Sequence, residues 1–484
     1  MPETTTSKKS WLPMKFGGTS LASRSQWDTI ASLLHNRLGA GYRPVLVCSA
    51  VAGVTDALRD FVDAENTPMR QAAMDRALSV NHTLAAELEL EMPDLTTNCK
   101  QLLRGYLEDG VSATDFAAQA RVLAQGEVMS SRIGAEWLAA CGFDVSWQDA
   151  TQALVSKPEP ERKRRQYLDA RCTPGVDAKL QQCWAGSDII VTQGFLASNE
   201  SGQTVLLGRG GSDTSAAYIA AALEVDKVEI WSDVPGLFSA DPRMVAGARL
   251  LRNLDHQEAL EIAVAGAAVI HPQCIHVAHA TGLELQLGQL GSNSFPGTVI
   301  NGRETASDSM VKAISLRRNM VTLLLENQDM RQAVGFLAGV FTLFAEHGIS
   351  LDQVATSETT TTVSLDLDSN HIKLEFVADL AEQLRPHCKV RILAPSACIS
   401  LVGRGIRKVL SSVSQSMKIF ESEQLWLASY SANDLAYTLV VAEECAEQLV
   451  KSLHAELIEK NAAAGDRHFG PDWQQLQRGD AGYG

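Results

Sequence analysis

The sequence contains no C-x-x-C pair. Its nine cysteines, Cys48, Cys99, Cys141, Cys172, Cys183, Cys274, Cys388, Cys398 and Cys445, are scattered and odd in number. That argues against a disulfide framework or a zinc site and suits a reducing compartment, so a cytoplasmic location is expected. No stretch approaches the roughly 18 uninterrupted apolar residues of a membrane span. The opening MPETTTSKKS is polar, without an apolar signal core, so no membrane partner is expected. Basic charge is in deficit: 42 Lys and Arg stand against 57 Asp and Glu, a formal net charge of −15. Nucleic acid is therefore not an expected partner, although local basic pockets for phosphate stay open. No G-x-x-x-x-G-K-[ST] run occurs, no full G-x-G-x-x-G opens a helix, and the protein-kinase signature set is missing. Any phosphate site must be built differently.

What is present suits a large α/β protein. The 484 residues exceed one ordinary core, with 45% hydrophobic and 20% charged residues. Short β-rich runs end in small residues: WLPMKFGGTS, PVLVCSAVAG, DIIVTQGF, TVLLGRGGSD and KVEIWSDVPG. Helical segments such as FAAQARVLAQGEVMSSRIGAEWLAA fill the gaps. This alternation predicts a mainly parallel sheet sandwiched by helices, with ligands at the carboxyl ends of strands. Near residue 300 the pattern becomes turn-rich. Beyond it lies a weak repeat with an offset of 76, setting Phe344 on Phe420, Ile349 on Leu425, Leu351 on Leu427, Ser357 on Asn433 and Val363 on Leu439. Two small ferredoxin-like modules are predicted.

Five stretches carry chemistry. MKFGGTS sets Lys15 at a strand end before Gly17 and Gly18: a point charge for a phosphoryl group beside backbone that an anion can approach. The plainer reading is a turn with a solvated lysine. VCSAVAGVTDAL offers Ser49 and Thr55, the latter also a plain helix cap. In LAQGEV, Glu127 follows a helix-weakening Gly126, which marks the close approach of another group. Glu127 suits a ligand ammonium, or is an ordinary surface carboxylate. LGRGGSDTSAAYIAAAL joins Arg209, able to hold a carboxylate by two parallel bonds, to Gly210 and Gly211 as exposed backbone donors. Ser212 or Asp213 then caps a helix starting near Thr214, whose positive end faces the same place. Asp213 is assigned to magnesium, to an ammonium group or to the cap. EIWSDVPGLFSADPR offers Ser232 and Asp233, then Phe238, Asp241 and Arg243, a set suited to a nucleotide, with a Val-Pro-Gly turn as the plain reading of its middle.

Together these runs resemble aspartate kinases of the amino-acid-kinase superfamily. The likeness rests on KFGGTS, SAVAGVTDAL, QGE, VTQGF, LGRGGSD, IWSDVPGLFSADPR and GAAVIHP, and continues to about residue 459. It implies transfer of the ATP γ-phosphoryl group to the β-carboxylate of L-aspartate, the entry to lysine, threonine and methionine synthesis, with Mg2+ as cofactor. It implies aspartate contacts from Ser49, Thr55, Glu127, Phe195, Arg209 and Ser212, and catalytic charge from Lys15 and Asp213. It implies nucleotide contacts from Gly17, Gly18, Gly210, Gly211, Ser232, Asp233, Phe238, Asp241 and Arg243. No residue is assigned as a metal ligand. The implied domains are a disordered 1–10, a kinase domain 11–301, a linker 302–312, ACT modules 313–392 and 393–459, and a tail or linker 460–484.

The ACT resemblance implies an amino-acid effector, lysine ahead of threonine, at Met330, Gly335, Phe336, Leu337, Asp352, Ser357 and Glu358. It also implies a homodimer or tetramer. Two departures stand out: Ala268 replaces the lysine usual in GAKVIHP, a phosphate contact, and Asp56 replaces a usual asparagine. Activity with a changed nucleotide KM is the expectation. His271 reads as structural. RHFGPDWQQL resembles the joining region of fusions to diaminopimelate decarboxylase. The rival readings are another carboxylate kinase of the superfamily and a catalytically weak ACT-based sensor.

Overall fold

The computed structural model describes residues 10–91, 93–159, 162–267, 269–291, 297–302, 310–327, 334–408, 424–460 and 468–478. Ala268, Met330, Phe420, residues 1–9 of the N-terminal segment and residues 303–309 of the linker 302–312 lie outside these residues. The chain packs as two compact units: Met1–Leu237, Asn253–His256 and Val269–Arg303 make one, and Phe238–Arg252, Gln257–Ala268 and Glu304–Gly484 the other.

Strands of the first unit are β1 (Ser10–Phe16), β2 (Tyr42–Cys48), β3 (Val145–Gln148), β4 (Ile189–Gln193), β5 (Leu196–Ser198), β6 (Thr204–Leu206) and β7 (Lys227–Ser232). Past β8 (Arg249–Leu251), which belongs to the second unit, come β9 (Asn253–Asp255), β10 (Glu284–Gln289) and β11 (Thr298–Asn301). Eight of them form one sheet in the order β3-β4-β2-β1-β7-β10-β11-β9. Neighbours are parallel except β10 and β11. The apolar runs of β2 and β4 are buried because helices cover both faces, the usual fate of parallel strands. Gly134 permits one such covering: a methyl there would lie 2.1 Å from the ring of Trp27. Trp27 is wholly buried, edge-on to Trp137 at 5.8 Å. The long helical run forms two helices, Phe116–Leu123 and Gln125–Ala140, with Ala124 between them.

Its parallel strands bring Phe16, Cys48, Gln193 and Ser232 to the same edge of the sheet. Every motif of this unit follows one of those residues or packs against what does.

The second unit holds a six-stranded sheet, β13-β14-β12-β15-β17-β16. The strands are β12 (Ala313–Glu326), β13 (Gln353–Thr356), β14 (Thr360–Asp366), β15 (Lys389–Val402), β16 (Leu427–Tyr430) and β17 (Ala436–Ala442). The 76-residue offset recurs in β12 against β15 and in β14 against β17, whose first residues differ by that number. β12 and β15 pair antiparallel from Ala313↔Val402 to Glu326↔Lys389. Both strands therefore run through both halves of the sheet. On β12, β14 takes Met320–Glu326, and on β15, β17 takes Ser396–Val402. The expected module boundary at 392/393 falls inside β15, so the modules share their long strands instead of dividing there. Val321, Leu323, Phe344, Val363, Leu380 and Leu384 centre one core on the β14 side.

Two further departures concern the boundaries. Phe238–Arg252 and Gln257–Ala268 pack with the second unit, not with the rest of 11–301. Hydrogen bonds give the reason. Ser239 Oγ lies 2.8 Å from His454 Nε2 and accepts from the Arg249 amide at 2.8 Å, while His454 Nδ1 lies 3.0 Å from Glu459. Lys312 Nζ donates to Glu258 Oε2 at 2.7 Å, both wholly buried. The tail also departs from a bare linker: β18 (Phe469–Asp472) pairs antiparallel with β8, and Trp473 meets Phe238 edge-on at 5.5 Å. Among the described residues no helix is long and apolar enough to cross a membrane.

Candidate active site

Lys15 lies on β1, one residue before its end, and its Nζ sits 2.6 Å from Asp213 Oδ1. Both side chains are largely buried, so the pair is shielded from screening. Gly17 donates its amide to Trp231 O at 3.1 Å, so that amide is already used. Gly18 is required by contact: a methyl there would lie 2.5 Å from Ala50 O and 3.1 Å from Ala52 N, both backbone atoms. The turns after β1 and β2 thus touch, and the amide of Ser49 donates to Phe16 O at 3.2 Å.

Thr55 does not cap its helix. The N-cap of Val54–Asp63 is Gly53, which adopts φ 83° and makes no side-chain cap. Left-handed geometry selected the glycine and moved the start one residue ahead of Thr55. Ser49 is fixed from the far side, where Ser130 Oγ donates to its carbonyl at 2.6 Å.

Glu127 is not a surface carboxylate. It is 4% exposed in the first turn of Gln125–Ala140. Gly126 shows why: a methyl there would lie 2.8 Å from Ala50 Cβ and 3.4 Å from Val54. Its absence lets the helix press Glu127 against the turn after β2. Burial pushes the carboxyl up from its ordinary 4.5 to about 8, against the backbone bond from Ala50. Its Oε2 is buried with no hydrogen-bond partner among the described residues.

The entrance read from LGRGGSD is built differently from the expectation. The helix begins at Gly211, three residues ahead of the expected Thr214, and runs to Ala222 with Gly210 as its N-cap and no side-chain cap. Neither Ser212 nor Asp213 caps it; Asp213 is turned to Lys15. The Gly211 amide donates to Gly208 O at 3.0 Å and is not an open donor. The glycines serve close packing. A methyl on Gly211 would lie 2.5 Å from the Phe195 ring, and one on Gly194 2.6 Å from Ser212 Cβ. Phe195 adopts φ 68°, a strained value for an aromatic residue. Arg209 is exposed at the tip of the turn.

Ser232 ends β7, where its Oγ donates to Val234 O at 3.0 Å, and Asp233 follows. Phe238, Asp241 and Arg243 belong to the second unit. Phe238 is buried against Trp473, so its ring is engaged there. Arg243 forks onto Asp241, with Nη2 2.8 Å from Oδ2, and this bond holds the Asp241 carboxyl below its usual range. Of the effector positions, Gly335 (φ 89°) opens the helix Phe336–Glu346, which also carries Leu337. Ser357 closes the β13–β14 turn onto Thr360 at 2.6 Å, beside the exposed Glu358. Asp352 accepts from Arg317 at 2.7 Å and from the Asp366 amide at 2.8 Å. Sequence reasoning assigned no role to Gly194 or to Asp169, whose carboxylate stands where a methyl on Gly208 would be, at 2.3 Å.

A lysine and an aspartate paired at the strand ends, a glycine turn leading into a helix and a buried carboxyl with one oxygen unpartnered among the described residues suit a phosphotransferase acting on a small charged acceptor. The amino acid kinase family model matches residues 14–288, more than half the chain, and the chain belongs to that family. Lysine-sensitive aspartokinase 3 of Escherichia coli is 28% identical over 453 residues, 92% of this chain and 98% of that protein. The chloroplastic aspartokinase 3 of Arabidopsis thaliana is 28% identical over 470 residues, 94% of this chain and 83% of that one. Among solved structures, E. coli aspartokinase III with aspartate and ADP (R-state) superposes with TM-score 0.78 at 28% identity, covering 92% and 99% of the two chains. The same enzyme with lysine and aspartate (T-state) gives 0.73 at 27%, covering 93% and 100%.

Proposed function

We propose that this kinase transfers the γ-phosphoryl group of ATP to the β-carboxylate of L-aspartate, giving 4-phospho-L-aspartate. The observation that carries the reading is Glu127, a buried carboxyl with one oxygen unpartnered. A free amino acid supplies an ammonium for it and an α-carboxylate for Arg209. An N-acylated acceptor supplies no such ammonium, which disfavours an acetylglutamate kinase. Similarity to the aspartokinases, one of them solved with aspartate and ADP, supports the same acceptor.

The reaction needs no general base, because a carboxyl with an ordinary pKa near 4 is ionised at neutral pH. It needs alignment and neutralisation of phosphate charge. Lys15 supplies the charge, and Asp213 holds its Nζ at the strand end. Ser49, Thr55, Phe195 and Ser212 line the turns on the acceptor side. Ser232, Asp233, Phe238, Asp241 and Arg243 are the nucleotide contacts that the resemblance supplies. Among the described residues no group of three or more His, Cys, Asp or Glu forms a metal cage. Magnesium enters on the ATP phosphates, as an ion held by one or two carboxylates together with substrate phosphates does.

Lysine is the proposed effector at the ACT modules, and it inhibits by binding one arrangement of the protein better than another. A homodimer or tetramer through those modules and a cytoplasmic location complete the reading; the absence of any C-x-x-C pair among nine scattered cysteines supports the latter. A hydroxamate assay of acyl-phosphate formation, with and without lysine or threonine, tests all of this. Aspartate and ATP together should give product, glutamate and acetylglutamate should not, and lysine should inhibit. No product from aspartate refutes the reading.

A further inference from the structure

His271 has two contacts that the reaction outlined above leaves unused. It is the N-cap of the helix Pro272–Thr281, accepting from the Gln273 amide through Nδ1 at 3.2 Å. An accepting Nδ1 leaves the ring proton on Nε2, and burial favours that neutral form. The second contact is steric. A methyl on Gly210 would lie 2.2 Å from His271 Cβ and 2.6 Å from Cγ, so the root of the imidazole stands directly behind the turn.

That turn needs support. Gly208 and Gly210 both adopt left-handed conformations, with φ 73° and 61°. Neither residue restricts its own backbone, and the helix that follows has no side-chain cap. Arg209 stands between the two glycines, exposed. Packing therefore fixes the turn: Phe195 behind Gly211 and His271 behind Gly210.

We propose that His271 is a positioning residue, whose ring holds the Gly208–Gly211 turn so that Arg209 meets the acceptor's α-carboxylate. The proposal rests on the assignment of Arg209 to that carboxylate. It predicts that the two contacts of His271 separate by mutation. His271→Ser keeps an acceptor at a position where serine is a favoured cap, but removes Cγ and the ring. His271→Phe keeps a flat ring and removes the acceptor.

The assay is steady-state kinetics on the full chain, with thermal melting of each variant. His271→Ser should melt near wild type and raise the aspartate KM about tenfold, with the ATP KM within about twofold, because a displaced clamp loses alignment. His271→Phe should melt lower while keeping an aspartate KM near wild type. Arg209→Ala should raise the aspartate KM, and adding His271→Ser to it should cause little further loss, since one acts through the other. The opposite pattern, a raised KM in the Phe variant and a normal one in the Ser variant, reduces His271 to a helix cap and overturns the proposal. Independent, multiplying effects in the double variant overturn it as well. An unchanged aspartate KM in Arg209→Ala removes the carboxylate assignment itself, and the proposal falls with it.

Discussion

Aspartate affinity should depend steeply on pH, and Glu127 sets the size of the effect. Without a ligand its carboxyl titrates at about 8 because it is buried. The shift from 4.5 corresponds to roughly 5 kcal/mol favouring the neutral acid. An arriving ammonium needs the ionised form. At pH 7 about one molecule in eleven presents it, and the apparent Kd is weakened by about that factor. Between pH 8.5 and 6.5 the aspartate Kd should rise roughly 25-fold, and binding at pH 7 should release about 0.9 proton. Calorimetry in two buffers of different ionisation enthalpy counts that proton, and initial rates give the KM profile. The acceptor carboxylate, titrating near 4, does not contribute in this range. Glu127→Gln should flatten the profile and bind weakly throughout. The ligand-free fold should respond oppositely. A carboxyl whose pKa is raised on folding contributes stability that is complete below its ordinary pKa and lost as pH rises through about 8. A flat aspartate KM from pH 6.5 to 8.5, or binding without proton release, refutes the pairing of Glu127 with the ammonium.

Lys15→Met should lower kcat by about a thousandfold, as removing a charge aimed at the transferred group does. It should also lower the melting temperature, because Asp213 loses its partner in a largely buried setting; Asp213→Asn added to it should recover the melting but not the rate. Gly18→Ala should cost about 2 kcal/mol or more in urea unfolding, since the new methyl meets two backbone atoms that have nowhere to go. In the second unit, Lys312→Met should cost roughly 3–5 kcal/mol by leaving Glu258 charged and wholly buried. The double variant Lys312→Met/Glu258→Leu should recover most of that loss, measured the same way.

The catalytic fold was legible because its signals are local. Apolar runs ending in glycine mark parallel strands, and candidate side chains such as Lys15, Ser49 and Ser232 sit at or next to those ends. Gly126 was legible for the same reason: a glycine inside a helical pattern marked a close approach, and the turn after β2 is what approaches. Helix starts were less legible. Thr55 and Ser212 have good cap chemistry, yet Gly53 and Gly210 hold those positions through left-handed backbone, which a residue list does not reveal. The unit boundary was misplaced because its determinants are distant in sequence. Ser239 binds His454, Glu258 binds Lys312, and β8 pairs with β18 of the tail. The repeat survived because its 76-residue offset is carried by β12 and β15 as whole strands, though a linear reading could not show that the modules share them.

Asp352 marks the limit of reading charge from sequence. An aspartate in HGISLDQVATSE looks like an open anion for a cationic amino acid. Its carboxylate instead holds Arg317, 35 positions upstream on β12, at 2.7 Å. A cationic effector at Asp352 must therefore trade places with a cation already there. That exchange yields little net Coulomb energy, because one ion pair is broken for each one made. It becomes favourable only if Arg317 has somewhere to go. Asp366 Oδ2 lies 3.7 Å from the same guanidinium nitrogen, a second carboxylate about one ångström beyond bonding distance. Moving Arg317 fully onto Asp366 would free Asp352 without leaving a buried charge unpaired. The differential affinity that inhibition requires then depends on the choice of Arg317 between two aspartates, and not on Asp352 alone.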